Sequence, residues 1–292
     1  MDNKAEKDFK KFKLVKIISS VLLSFIIITS PVFSSVQKEN NGYAKKIKIT
    51  KNDLLWFGDA IFQRECDGDI EKLAAWNKGE EFASFGIGHF IWYPKDYEGP
   101  FDESFPTFLK FLKQRGVKLP GWLEQQKKMD CPWATRRDFY RNIDSYKMRS
   151  IKQFLANTRY QQSLFIVHRF MKAFPKMMRA ASYDKKKHIR KQFFRVADSS
   201  LKLYALIDYV NFKGEGIKLS ERYNNVGWGL LQVLEEMQGT KKGDVALCDF
   251  ARAAETVLTR RVINSPIERN EHRWLTGWKN RVNYYRTLTR YL

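Results

Sequence analysis

Helical periodicity covers most of the second half of this chain and limits its fold more than any other feature. Apolar residues recur every three or four positions, the spacing that places them on one face of an α-helix. Only about residues 81–93 resemble β-strands, so we expect an α+β fold that is mainly α, with a small β-hairpin. Proline cannot donate a backbone hydrogen bond, and we expect Pro175 to break or kink its helix. The segments with helical spacing are 146–157, 159–181, 184–197, 199–212, 228–238, 243–263 and 267–290.

The amino terminus has the pattern of a targeting segment. Several lysines precede an apolar stretch that Pro31 interrupts near its end, and small residues follow at the place of a cleavage site. The stretch is short for a membrane span. We expect residues 1–34 to be a cleaved signal peptide and residues 35–49 to be a polar lead-in to a single domain at 50–292. This predicts an exported protein, periplasmic or secreted, with an uncleaved membrane anchor as the alternative.

The charge of the chain predicts an anionic partner. There are 53 Lys and Arg residues against 32 Asp and Glu residues, a formal net charge of +21. A cell-wall polymer or a membrane surface would match this excess. The targeting segment and the lack of a zinc-knuckle or RNA-recognition pattern argue against nucleic acid. No glycine-rich nucleotide-binding run occurs, and no cofactor is expected.

The three cysteines fit one disulfide and one buried thiol in an oxidising compartment. Cys66 and Cys131 both lie beside turn-forming residues, whereas Cys248 falls within an apolar pattern. We therefore expect a disulfide between Cys66 and Cys131. The sequence has no C-x-x-C pair and no paired-histidine spacing, so we expect no metal site.

Glu65 lies at the end of a predicted helix and is the first candidate for acid catalysis. Thr50 and Asp53 have the spacing of a capping box, which predicts a helix from there to about Glu65. Leu54 and Ile61 share a face with Glu65, so the carboxyl group ends an apolar stripe. A carboxylic acid beside apolar surface at a helix end is one way to protonate a glycosidic oxygen.

The segment 82–92 alternates as a β-strand does. Ser84, Gly86 and Gly88 share one face with almost no side-chain bulk, which suits close approach of a ligand to the backbone. Trp92 adds an aromatic ring that either stacks on a sugar or packs in the core. We interpret the segment as a flap over a cleft.

The order of these features resembles the phage-type lysozymes, or endolysins. In that family a helix-borne catalytic glutamate precedes a hairpin with a G-x-G-H run, here Gly86-Ile87-Gly88-His89. Residues 205–216 are similar to the central core helix of the same family. The resemblance covers about a third of the chain after residue 34, in two pieces. It implies a lysozyme-like helical domain with a β-hairpin flap.

Residue by residue, this resemblance implies that Glu65 is the general acid and that Ser84 holds the catalytic water. The second acidic residue of the family has no clean match, because Asn77, Glu80 and Glu81 all lie near its place. Inverting hydrolysis needs that second group, whereas a lytic transglycosylase can act with one acid. Hydrolase and transglycosylase therefore both stay open. The residues we expect to bind the substrate on this basis are Asn77, Glu81, Ser84, His89 and Trp92.

A second stretch resembles the soluble lytic transglycosylases of the same superfamily. Glu215-Gly216 is followed by Gly227-Trp-Gly-Leu-Leu-Gln232, near the spacing at which those enzymes place a helix-end glutamate before a G-L-M-Q-like segment. On this alignment Glu215 is the acid and Gln232 lines the cleft. We favour Glu65 over Glu215, with both facing one cleft.

Together these features predict an exported glycosidase that cleaves peptidoglycan, either a muramidase or a lytic transglycosylase, with a helix-borne glutamate as general acid. Its partners would be peptidoglycan glycan strands and an anionic wall polymer or membrane surface. The alternative is a non-catalytic wall-binding or interaction protein on the same scaffold, because a fold does not guarantee a chemistry.

Overall fold

The computed structural model of the chain describes residues 49–126 and 128–291, all within one compact unit. The described residues are mainly helical with two small antiparallel sheets, so the expected α+β class with mostly α structure is confirmed. The expected signal peptide and the lead-in up to residue 48 lie outside the described residues.

The first helix, α1 (Lys51–Cys66), begins at the predicted capping box. The Thr50 hydroxyl accepts the Asp53 N–H at 3.1 Å, and the Asp53 carboxylate accepts the Thr50 N–H at 2.7 Å. The helix ends where Asp67 takes a left-handed conformation with φ of 52°. Leu54 and Ile61 are buried on its inner face, as predicted.

A three-stranded antiparallel sheet follows α1. Its strands are β1 (Ala74–Ala75), β2 (Ala83–Phe85) and β3 (Phe90–Trp92), in the order β1-β2-β3. The chain reverses between β2 and β3, with φ of 73° at Gly86 and 44° at His89. The expected hairpin is therefore confirmed, but the predicted glycine row along one strand face is wrong because the two glycines belong to the turn.

Ten α-helices lie between Phe105 and Tyr284 in the described part of the chain, and the longer ones follow the predicted periodicity closely. The bounds after α1 are α2 Phe105–Lys113, α3 Gly121–Glu124, α4 Arg136–Arg141, α5 Tyr146–Asn157, α6 Arg159–Ala180, α7 Tyr183–Val196, α8 Ser200–Lys213, α9 Leu230–Glu236, α10 Asp244–Asn264 and α11 His272–Tyr284.

Two details differ from expectation in this part of the chain. Of the predicted break or kink at Pro175, the break is excluded because helix α6 is continuous there, with Phe174 and Met177 buried on either side. The expected helix at 267–290 is instead a 3-10 turn (Ile267–Arg269), then α11, then a 3-10 segment (Tyr285–Tyr291). Short 3-10 turns and α-helices have similar apolar spacing, which explains the error.

Helix α8 lies at the centre of the fold. Seven consecutive residues, Leu203 to Tyr209, are buried, and the helix contacts α1, α6, α7, α9 and the 3-10 segment after α11. A helix that is buried all round belongs to the core. Its carboxyl end leads into a second, two-stranded sheet of β4 (Arg222–Tyr223) and β5 (Val226–Gly227), which periodicity did not predict.

The turn between β2 and β3 is fixed by a buried glutamine of α6. Gln162 Oε1 accepts the Ile87 N–H at 2.8 Å, and Gln162 Nε2 donates to the Leu155 carbonyl at 2.6 Å. A Cβ at Gly86 would lie 2.3 Å from Gln162 Oε1. The glycine is therefore required both by its positive φ and by this contact.

Gly86→Ala is expected to lower the free energy of unfolding by about 2–4 kcal/mol, because it adds a steric clash to an unfavourable backbone conformation. Gly79→Ala is the matched control. Gly79 also has a positive φ, of 87°, but a Cβ there would meet nothing within 4 Å. We expect it to cost only about 1–2 kcal/mol in urea unfolding. Equal losses for the two variants would contradict this account of the turn.

Candidate functional site

A cleft of about 650 Å³ opens beside the carboxyl end of α8. Its walls come from α6, from α8 with the loop that follows, from the β2–β3 turn and from the β4 strand. His89 of the turn and Glu215 of the loop both line it. The two sequence motifs that resembled lysozyme-like enzymes therefore contribute to one cleft.

The loop that carries Glu215 is held from one side by helix α9. The Leu230 N–H donates to the Gly214 carbonyl at 3.0 Å, and the Leu231 N–H donates to the Glu215 carbonyl at 3.1 Å. Gly229 lies so close that a Cβ there would be 2.0 Å from the Gly216 nitrogen. The glycines and the first turn of α9 thus fix the backbone at Glu215.

Gln232 supports the same loop and does not line the cleft. Its Nε2 donates to the Gly216 carbonyl at 3.1 Å, and its Oε1 accepts the Gly229 N–H at 3.1 Å. The expectation that Gln232 faces the substrate is therefore wrong. Both polar ends of its side chain are engaged by backbone, so its contribution is to the position of Glu215.

Glu221 holds the loop from the other side. Its Oε2 accepts the backbone N–H groups of Gly216, Ile217 and Lys218 at 2.7, 2.8 and 3.2 Å. The Glu215 side chain stays about one quarter exposed, and its Oε1 lies 3.3 Å from Lys176 Nζ. Glu221 had no sequence signal as a functional residue, because its role depends on a loop that folds back on itself.

Positive charge dominates the cleft. Six basic side chains line it against three carboxylates, Asp102, Glu215 and Glu221. Asp102 forms an ion pair with Lys218. Burial lowers the pKa of Arg169, and the charges of Asp102 and Glu215 offset part of this decrease. The guanidinium therefore stays charged at neutral pH. The basic residues are Arg169, Lys213, Lys218, Arg222, Arg261 and Arg269.

His89 of the turn lies near the carboxyl group of Glu80. Burial raises the pKa of Glu80, while hydrogen bonds from Asn77 and the nearby His89 act in the opposite direction. Asn77 Nδ2 donates to Glu80 Oε2 at 3.1 Å. Asn77 is therefore a hydrogen-bond partner of Glu80 and does not line the cleft.

Three other residues expected to bind substrate also lie away from the cleft. Ser84 is buried within β2, and Trp92 is fully buried, with its indole N–H donating to the Met129 carbonyl at 2.6 Å. Glu81 is exposed between β1 and β2. The expectation failed because the turn at Gly86 sends the strand faces into the core, where aromatic rings pack around Trp92.

Glu65 belongs to a buried charge network and not to the cleft. Arg281 Nη2 forms an ion pair with Glu65 Oε1 and also donates to Asp208 Oδ1 at 2.8 Å, while Arg281 Nε donates to Asp208 Oδ2 at 3.1 Å. The Tyr285 hydroxyl donates to Asp208 Oδ2 at 2.6 Å. Glu65 does not line the cleft that Glu215 lines, so the expectation that both face one cleft is wrong.

The network compensates the burial of Asp208. Burial alone would raise the pKa of this carboxyl group, but the charge and hydrogen bonds of Arg281 lower it below its ordinary value. Burial alone would lower the pKa of Arg281, but the charges of Asp208 and Glu65 raise this pKa well above its ordinary value. Both groups are therefore charged at neutral pH.

Lys213 lies inside the cleft between aromatic rings. Its Nζ is 3.4 Å from the centre of the Trp278 ring and 4.0 Å from that of Phe212. Burial lowers the pKa of Lys213 to about 6, with Arg261 and Arg281 acting in the same direction and Glu271 against them. The rings favour the ammonium by about 0.5–2 kcal/mol. Removing the ammonium from water costs several kcal/mol, which is more than the rings contribute, so the pKa of Lys213 stays low.

The cysteines are not joined. Cys66, Cys131 and Cys248 are free thiols, so the expected disulfide between Cys66 and Cys131 is wrong. Cys66 is buried at the end of α1, with its sulfur 3.8 Å from the Lys72 carbonyl oxygen. Cys131 is buried beside Trp133, and its backbone forms an isolated β-bridge with Pro94. Burial raises the pKa of both thiols to about 12.

Comparison with known proteins gives no relative for this chain: no protein-family model, curated protein or solved structure matches it. Among residues 49–126 and 128–291, no group of His, Cys, Asp and Glu side chains is placed to hold a metal ion. No helix in the described part of the chain is long and apolar enough to cross a membrane.

Arg281→Met is expected to lower the free energy of unfolding by about 3–5 kcal/mol, because it leaves the buried carboxylates of Asp208 and Glu65 without a counter-charge. Arg273→Met is the control on the same helix, at an exposed position over Trp274. It should change the stability by no more than about 0.5 kcal/mol in denaturant unfolding. Similar values for the two variants would exclude a structural role for the network.

Lys213→Met is expected to raise the free energy of unfolding, most at low pH. Between about pH 6 and 10.5 the unfolded chain binds a proton at Lys213 that the folded chain has released, so the wild type gains stability as the pH rises. The advantage of methionine should be full near pH 6 and vanish above pH 10.5.

Urea unfolding at about pH 6, 8 and 10 measures this dependence. Lys218→Met is the control, because Lys218 is half exposed and paired with Asp102. A gain for Lys213→Met that did not change with pH would contradict the lowered pKa.

Proposed function

We propose that this protein is an exported glycosidase that cleaves the glycan strands of peptidoglycan, with Glu215 as the general acid. The observation that carries the proposal is the position of Glu215: it follows the central helix, it lines the cleft, and backbone hydrogen bonds fix its loop from two sides. A catalytic acid must be positioned next to the bond that it protonates. Because the loop is already rigid, less entropy is lost when Glu215 is oriented toward the substrate.

The carboxylates of the cleft favour a one-acid mechanism. Glu221 already accepts three backbone N–H groups, and Asp102 is paired with Lys218. Glu215 is the third carboxylate among the cleft-lining residues of the described chain; it is paired with Lys176 at 3.3 Å, and it is the one whose backbone is fixed from two sides. Inverting hydrolysis requires a second carboxylate to activate water. We therefore favour the lytic transglycosylase reaction, in which one group first protonates the leaving oxygen and then receives the proton of the attacking sugar hydroxyl.

The charge of the cleft supports an anionic glycan as substrate. Apart from Lys213, five basic side chains surround three carboxylates, which leaves a formal excess of two positive charges. Peptidoglycan carries carboxylates on its lactyl ethers and peptide stems. Phe101, Phe212 and Tyr223 add aromatic surface on which sugar rings can pack.

Glu215 replaces Glu65 as the favoured acid. The Glu65 carboxylate is paired with Arg281, its side chain is only 14% exposed, and it is not part of the cleft. The preference from sequence rested on the helix-end position of Glu65 and on the hairpin after it. Both features exist, but the hairpin presents His89 to the cleft and Glu65 faces the interior.

The test is lysis of purified cell walls by the wild type, Glu215→Gln and Glu65→Gln, measured by turbidity and by mass spectrometry of the released fragments. Glu215→Gln should lower the rate by about 10²–10⁴-fold, the usual contribution of a positioned general acid. Glu65→Gln is the matched carboxylate-to-amide control and should keep most of the rate per folded molecule. Fragments with 1,6-anhydro ends would identify the transglycosylase reaction.

Undiminished lysis by Glu215→Gln would refute the assignment of the acid. A folded wild type that binds walls without releasing fragments would refute catalysis and favour the non-catalytic binding protein.

A further inference from the structure

Three basic side chains lie against two aromatic rings at the carboxyl end of α8, where Phe212, Lys213 and Arg261 line the cleft. Lys213 Nζ and Arg281 Cζ lie 4.0 and 4.3 Å from the centre of the Phe212 ring. Lys213 Nζ and Arg261 Cζ lie 3.4 and 4.9 Å from the centre of the Trp278 ring. An amine so close to two permanent guanidinium charges is driven toward its uncharged form.

The carboxylates near this group pair with its two arginines and not with Lys213. Glu271 has a fully buried side chain, and its oxygens accept from Arg261 Nε and Nη2 at 2.8 Å and from the Tyr223 hydroxyl at 2.8 Å. Arg281 is held by Asp208 and Glu65. Within the described residues, no ion pair or hydrogen bond engages the Lys213 amine, although Lys213 lines the cleft.

We propose that Lys213 is an uncharged amine nucleophile at neutral pH and that it forms an imine with small anionic aldehydes or ketones that enter the cleft. Apolar walls and neighbouring cations are the two features that activate a lysine for this chemistry. The lowered pKa of Lys213, about 6, agrees with this geometry. The site does not depend on the proposed glycosidase activity.

The reaction needs no oxidant or cofactor. The nitrogen lone pair attacks the carbonyl carbon, a proton passes from nitrogen to the carbonyl oxygen, and the resulting carbinolamine loses this oxygen as water to give the C=N bond. The ligand should carry a carboxylate or phosphate because the guanidinium groups of Arg169 and Arg222 line the same cleft and form no ion pair within the described residues.

Two other lysines at the site are internal controls. Lys218 lines the cleft but is paired with Asp102, and Lys176 is paired with Glu215. Both are about half exposed, so a reagent reaches them at least as easily as Lys213. Each of these two amines has a carboxylate partner, which Lys213 lacks.

The experiment incubates the folded wild-type protein at pH 7 with glyoxylate and, separately, with pyridoxal 5′-phosphate, each with cyanoborohydride to reduce the imine. Peptide mass spectrometry then gives the rate of modification at each lysine. Lys213 should be modified at least about tenfold faster than Lys176 and Lys218, because a larger fraction of its amine is unprotonated. Its rate should level off above about pH 7, while the rates of the other two continue to rise.

A Lys213 rate equal to or below those of Lys176 and Lys218 would overturn the proposal, as would a Lys213 rate that rises with pH in parallel with theirs. Lys213→Arg keeps a long basic side chain and removes the amine, so it should abolish the fast modification. Lys218→Arg should leave it unchanged. These outcomes do not depend on whether the protein lyses cell walls.

Discussion

The buried ion pair between Asp208 and Arg281 is the interaction on which the rest of the structure depends. Asp208 lies on the central helix α8 and Arg281 on α11, and neither charge can be buried without the other. Arg281 also holds Glu65 at the end of α1, and Tyr285 adds a hydrogen bond to Asp208. One guanidinium therefore connects three helices that lie far apart in the sequence.

The same arginine connects the core to the cleft. Its guanidinium stacks on Phe212, which lines the cleft one turn after Asp208, and Lys213 follows directly. Helix α8 ends there, and Gly214 takes a φ of 87° that directs Glu215 into the cleft. The position of Glu215 is thus fixed by α9, by Glu221 and by the anchored end of α8.

The sequence predicted the local parts of this structure and missed the parts that depend on distant contacts. The capping box at Thr50 and most helix bounds follow from spacing alone, since capping and periodicity are local. The partner of Glu65 is Arg281, near the other end of the chain, so no local pattern could reveal that this carboxylate is neutralised. The turn at Gly86 was misread for a similar reason: its conformation depends on Gln162 of α6. The Glu215 motif drew attention to a residue that does line the cleft, and its glycines let α9 approach the loop.

The central claim is that ligands bind in the cleft beside Glu215 and His89, and that Glu65 is a structural residue. The most direct measurement is a crystal structure of the Glu215→Gln variant with a tetrasaccharide of alternating N-acetylglucosamine and N-acetylmuramic acid. We predict a glycosidic oxygen within about 3 Å of the amide group that this substitution introduces, with a sugar ring beside His89. A sugar bound at Glu65 and Arg281, with the Glu215 cleft empty, would contradict the account.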